Sequence, residues 1–166
     1  MSKVIRTGMI AVLSAVMLLL AACQAAKPKP KPAPAPAPVI QNTHETLSAD
    51  ALFAFGKSEI RSMTDQGRSQ MDELVAKLGT GKINSVGLVG YTDRIGDKTY
   101  NENLSLRRAN AVRDYLVHRG VDARLVKTEG RGESSPVAAC PKLLGKKLRE
   151  CLAPNRRVEV NISAVR

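Results

Sequence analysis

The sequence predicts an α/β (α+β) two-layer sandwich of about four strands, two main helices and a short third helix between two cysteines. Three observations carry that prediction. Short apolar runs alternate along residues 46–166 with segments of helical period. Glycine or polar turn residues punctuate each change. Apolar residues are 43% of the 166-residue chain, yet Trp is absent and only two Phe and three Tyr occur, so the core must be mostly aliphatic. Alternating strands and helices bury one face of a sheet against a helix layer.

The elements follow in order. "ALFAF" (51–55) reads as a strand. Residues 62–79 read as a helix: Met63, Gly67, Met71, Leu74, Val75 and Leu78 recur at three- and four-residue steps, with Thr64 as the N-cap and Gly79 as the stop. "SVGLVGY" (85–91) is a short apolar strand. Residues 101–120 form a second helix, with Leu104, Ala109, Val112, Tyr115 and Leu116 along one side and Gly120 at its end. Residues 125–132 supply a third strand, 141–150 a short helix, and "RRVEVNIS" (156–163) alternates as a strand does.

Residues 1–22 stand apart. Lys3 and Arg6 precede the apolar run "MIAVLSAVMLLL", which is shorter than the ~20 residues a membrane-spanning helix needs. A basic start, an apolar middle and a small-residue end describe a secretory signal. "LAAC" (20–23) resembles the lipobox of bacterial lipoproteins. The resemblance implies cleavage before Cys23, acylation of that residue, and delivery to the outer membrane, since Gln24 rather than Asp follows. Residues 23–45 then comprise the lipidated cysteine and a linker. Its "KPKPKPAPAPAP" (27–38) favours polyproline II and gives a reach on the order of 50 Å.

Charge and cysteines narrow the class. Without Lys3 and Arg6 the formal charge falls from +11 to +9. Export, dispersed basic residues and few aromatics argue against nucleic acid. An anionic wall polymer or lipid surface fits the compartment better. With Cys23 acylated, Cys140 and Cys151 remain as an even pair in an oxidising compartment, which predicts a disulfide rather than a zinc site.

No enzyme motif assembles. The chain has no G-x-S-x-G, H-E-x-x-H, Walker or G-x-G-x-x-G pattern, and neither His44 nor His118 has an evident catalytic companion. Asp93 and Asp97 are a conceivable acid/base pair, as in a wall hydrolase, but turns favour Asp for conformational reasons. The expectation is a non-enzyme with no cofactor and no metal.

The stretch "GYTDRIGDKTYNENLSLRRANAV" (90–112) carries the strongest signal. Its Gly90, Thr92, Asp93, Gly96, then Tyr100, Asn101, Leu104, Ser105, then Arg108, Ala109 and Val112 resemble the OmpA-like peptidoglycan-binding domain family. That family takes in the OmpA C-terminal domain and the peptidoglycan-associated lipoprotein. The resemblance extends to "LFAFGKSEI" (52–60), "EGRGESSPVA" (129–138) and "CLAPNRRVEV" (151–160). It implies noncovalent recognition of the diaminopimelate residue of the peptidoglycan stem peptide. Asp93 would accept from the ligand ammonium and Arg108 would fork its carboxylate. Thr92, Asn101 and Arg156 would be secondary contacts, with Arg157 the alternative to Arg156. Where the family carries Asp or Asn, this chain has Gly56, which keeps a backbone N–H but removes a side-chain contact.

Other readings of these residues stand beside this one. Asp93 could only stabilise its turn, Arg108 could be a structural ion-pair partner, and Asn101 could be a helix cap. Read as a whole, the chain is expected to be an outer-membrane lipoprotein. Its acylated Cys23 would sit in lipid and its periplasmic domain would hold peptidoglycan, tethering membrane to wall. An envelope protein-interaction module of a Tol–Pal-like, secretion or motility complex is the alternative.

Overall fold

The computed structural model of the protein describes residues 39–54, 56–79 and 82–165. The expected signal segment, Cys23 and the proline spacer lie outside the described residues. The fold opens on β1 (Ile40–Ser48), a strand of mostly exposed polar residues that buries only Leu47. It begins inside the stretch 23–45 expected to be linker. Both of its faces are polar, so no alternation marks it. It is a strand because its backbone pairs with β4 (Arg157–Val165) along its whole length, from Ile40↔Val165 to Ser48↔Arg157.

The expected strand at 51–55 is not formed over its described residues 51–54. Ser48 caps a short helix, α1 (Ala49–Leu52), by accepting from the Ala51 amide at 3.3 Å. Phe53 makes only an isolated bridge to Met63. The local capping signal and Ala-rich start outweigh the apolar run. Leu52 and Phe53 are buried all the same. α2 (Asp65–Leu78) starts where Thr64 accepts from the Gly67 amide at 2.9 Å, as the sequence predicts. Gly67, Met71, Leu74 and Leu78 form its buried face.

β2 (Lys82–Gly90) leads through a loop to α3 (Lys98–His118), which begins earlier than expected. Its cap is Asp97, which accepts from the Tyr100 amide at 2.9 Å, so Asn101 lies inside the first turn rather than at its cap. β3 (Val126–Gly130) follows, then α4 (Gly145–Cys151), and the Cys140–Cys151 disulfide is formed. The sheet order is β1-β4-β2-β3, with β2 and β3 parallel and the other pairs antiparallel. Among the described residues four strands are present, as expected, with β1 taking the place of the strand expected near residues 51–55.

Alternation sets the layers. Val158, Val160 and Ile162 of β4, with Val86 and Leu88 of β2, pack against Met71, Leu74, Ala109, Val112 and Leu116 of the helices. Each large side chain so buried contributes roughly 1.5–3 kcal/mol. The opposite face carries His44, Asn161 and Ser163. α3 rests directly on the sheet at two glycines that are neighbours across β2 and β3, Gly90↔Gly130. A Cβ on Gly90 would overlap the Ser105 carbonyl, and one on Gly130 would stand 2.5 Å from the Leu106 nitrogen.

Candidate ligand site

Strand polarity collects the site at one end of the sheet. The C-terminal ends of β1 and β2 and the N-terminal start of β4 lie side by side, since Ser48 pairs with Arg157 and Gly90 with Val158. Asp50 follows β1, Asp93 follows β2, and Arg156 precedes β4. Ligand crevices of α/β sheets form at such strand ends, beside helix starts.

The loop carrying Asp93 is fixed from several sides. Tyr91 N–H donates to the Arg157 carbonyl at 2.8 Å and Thr92 N–H to the Gly132 carbonyl at 2.7 Å. Asp93 Oδ1 accepts from the Ile95 amide at 2.9 Å, the side-chain-to-backbone turn that Asp favours. Gly96 turns the chain at φ +105°, a conformation open to glycine. The Asn101 side-chain amide donates to the Asp93 and Ile95 carbonyls, both at 3.3 Å, and to Glu133 Oε2 at 3.1 Å. Asn101 is buried and shapes the loop from behind. It does not line the pocket.

The pocket has a volume of about 210 Å³ and is lined by Gly56, Thr92, Asp93, Arg108 and Arg156 among the expected site residues. That is the scale of an amino acid rather than of a drug-sized ligand. Sequence reasoning missed Asp50 and Arg149, and the apolar wall of Ile95, Tyr100 and Leu104 was not read as ligand-facing. A larger, more open groove beside Glu59 and Asp114, about 500 Å³, contains no buried polar side chain.

Charges inside the pocket are unevenly matched. Arg156 donates from Nε and Nη2 to Asp50 at 2.7–3.0 Å and from Nη1 to Asp93 Oδ2 at 2.6 Å. Its bonds to Asp50, then to Asp93, raise the guanidinium pKa above its ordinary value, against the desolvation that lowers it. Arg157 turns away. It is buried against Glu159 at 2.8 Å, with its guanidinium 3.9 Å from the Tyr91 ring centroid. Arg108 reaches in from α3, and among the described residues its Nε donates to the Lys57 carbonyl at 3.4 Å. Its Nη1 and the Thr92 hydroxyl are buried with no hydrogen-bond partner among the described residues. Burial lowers the Arg108 pKa, and the nearby Asp50 carboxylate partly opposes this. Asp97 caps α3 through Oδ1, while Asp93 is bonded to the Ile95 amide and to Arg156. Among the described residues no group of His, Cys, Asp or Glu is placed to hold a metal ion.

This arrangement can bind a small zwitterion. A buried guanidinium edge awaits a carboxylate, and Asp93 retains lone pairs for an ammonium.

Residues 52–148 match the OmpA family. Outer membrane protein A of Shimwellia blattae is 43% identical over 131 residues, which span 76% of this chain and 53% of that protein. Outer membrane protein A of Escherichia coli O157:H7 is 42% identical over 132 residues, 76% of this chain and 37% of that protein. The chain thus spans about half or less of the length of these relatives. Among solved structures, the cell wall anchor of the T6SS from Pseudomonas aeruginosa aligns with 28% identity and a TM-score of 0.60, over 76% of this chain and 87% of that one. The peptidoglycan-associated lipoprotein from Burkholderia pseudomallei shares the fold at 23% identity and a TM-score of 0.51, over 73% and 89% of the two chains. With a family match across residues 52–148 and relatives more than 40% identical over 76% of its length, the chain belongs to the OmpA family.

Proposed function

We propose that this protein is an outer-membrane lipoprotein whose folded domain binds peptidoglycan noncovalently through diaminopimelate, tethering the membrane to the wall. One observation carries the reading: Arg108 Nη1 is buried with no hydrogen-bond partner among the described residues, in a pocket that Asp93 also lines. An unsatisfied buried polar group costs about 1–3 kcal/mol, which a ligand carboxylate recovers on binding. The ligand's ammonium meets Asp93, and its methylene chain lies along Ile95, Tyr100 and Leu104. The Thr92 hydroxyl supplies a further donor or acceptor. The structural neighbour from Pseudomonas aeruginosa is a cell wall anchor, which supports the same role. Acylation of Cys23 provides the second attachment. Two attachments on one chain raise effective concentration, so modest affinity per site suffices for tethering.

The test is co-sedimentation of the purified protein with peptidoglycan sacculi. Wild type pellets; Asp93→Ala and Arg108→Ala remain in the supernatant while keeping the wild-type circular dichroism spectrum. If both variants pellet like wild type, the clamp is wrong. Palmitate labelling in cells tests the anchor: Cys23→Ser loses the label, and a variant that keeps it overturns lipidation at that residue.

A further inference from the structure

The pocket is lined by two acidic residues, Asp50 and Asp93, and three arginines, Arg108, Arg149 and Arg156. Both carboxylates are bonded to Arg156. Among the described residues, the Arg108 and Arg149 side chains have no carboxylate partner. An α-amino carboxylate brings one negative and one positive group. Its carboxylate satisfies Arg108, and its ammonium goes to Asp93. The ligand end adds no net charge, so Arg149 is left uncompensated at the rim.

Arg149 is not a stray surface residue. It lies on α4, a helix that buries none of its own residues, so apolar packing does not place it. Specific bonds place it instead. Cys151 ties the end of α4 to Cys140. Arg156 Nη1 donates to the Arg149 carbonyl at 3.1 Å, and the same nitrogen holds Asp93. Arg94, from the loop that carries Asp93, donates to the Ala139 carbonyl at 2.5 Å and the Cys140 carbonyl at 3.4 Å. The backbone of Arg149 is therefore fixed to the atoms that position Asp93, and Arg149 is an exposed residue that lines the pocket.

Building on the proposed diaminopimelate reading, we infer that Arg149 is a specificity-determining residue that recognises a second carboxylate on the ligand, beyond the one held by Arg108. A planar guanidinium forks a carboxylate and gains much less from a neutral amide. In a stem peptide, the second carboxylate of the diamino acid is free where that residue ends the chain and an amide where another residue follows. Arg149 thus favours stems trimmed to the diamino acid.

The test compares two ligands that differ by one carboxyl group. meso-Diaminopimelate has two carboxylates; D-lysine keeps one α-amino carboxylate, the same chain and the distal ammonium. Affinities are measured by amide-shift titration of the purified disulfide-bonded protein. Wild type is expected to prefer diaminopimelate by about 5–10-fold, the scale of one charge-assisted hydrogen bond at a solvent-exposed rim. Arg149→Gln reduces that preference to twofold or less without weakening lysine binding. Arg149→Lys retains part of it. A preference that survives Arg149→Gln, or that wild type never shows, overturns the assignment of Arg149. Asp93→Ala abolishes binding of both ligands. If instead Asp93→Ala binds both like wild type, or wild type binds neither, the diaminopimelate reading itself fails, and the role of Arg149 with it.

Discussion

Arg156 holds Asp93 at 2.6 Å across 63 residues of chain, and it does so because β4 lies between β1 and β2. The residue before β4 is flanked by those that follow its two neighbours, so one guanidinium bridges Asp50 and Asp93. The consequence is functional. Asp93 is oriented by Arg156 and not by Arg108, which leaves the Arg108 edge available to a ligand.

Removing Arg156 tests that division of labour. Its side chain is 18% exposed and that of Asp93 is 10% exposed, so the pair is largely desolvated. Arg156→Ala leaves two carboxylates facing each other without a bonded cation. The expected cost is about 1.5–3 kcal/mol, the range for hydrogen bonds to charged groups, read as a fall in the urea midpoint at constant slope. Arg108 becomes the nearest counter-charge to both acids, so binding to sacculi is lost as well. Unchanged stability would mean that the bridge is not structural.

A second prediction concerns how α3 reaches the site. Gly90→Ala drives a methyl group into the Ser105 backbone, which cannot move without shifting the helix that carries Arg108. Overpacking of this kind costs about 1–3 kcal/mol or more and should abolish ligand binding. Gly87→Ala, on the same strand, is the control. Its added Cβ would meet Asn161 Cβ at 3.8 Å, an ordinary contact, so stability should remain within about 1 kcal/mol of wild type. Equal effects at the two glycines in thermal unfolding would refute close helix–sheet approach as the reason for Gly90.

What the sequence discloses follows from the range of the interactions. Thr64 and the period of α2 are local signals, and that helix forms as read. Asp93, Arg108, Thr92, Arg156 and Gly56 line one pocket, which Asn101 does not. Asp50 left no local signal because its partner Arg156 lies 106 residues away. β1 was invisible because an edge strand with two polar faces has no period to detect. The choice between Arg156 and Arg157 could not come from alternation. The ladder starts at Arg157, and Arg156 precedes it at φ −82°, ψ 87°, outside strand geometry.

The disulfide offers a third prediction. Cys140 and Cys151 close a loop of sequence separation 11 around a helix that buries none of its residues. Cys140→Ser with Cys151→Ser is expected to lose about 2–3 kcal/mol by the loop-entropy argument. Hydrogen exchange should rise through residues 141–151 and stay unchanged in the β2–β4 pairing. Uniform loss of protection across the sheet would show instead that the bridge supports the whole core.

The wall position at Gly56 can be tested by adding a contact. Gly56 has φ +69°, and a Cβ built on it meets nothing within 4 Å. Space is therefore available, and the only penalty is conformational. Asn tolerates the left-handed region better than other side chains, whereas Ala pays roughly 1–2 kcal/mol there. Gly56→Asn is expected to cost less than about 1 kcal/mol of stability while placing an amide at the pocket wall. One new hydrogen bond is worth about 0.5–1.5 kcal/mol, so diaminopimelate affinity should rise by roughly 2–12-fold. Gly56→Ala should lose stability with no gain in affinity. If the Asn variant binds no more tightly than wild type while remaining folded, then this part of the wall does not touch the ligand.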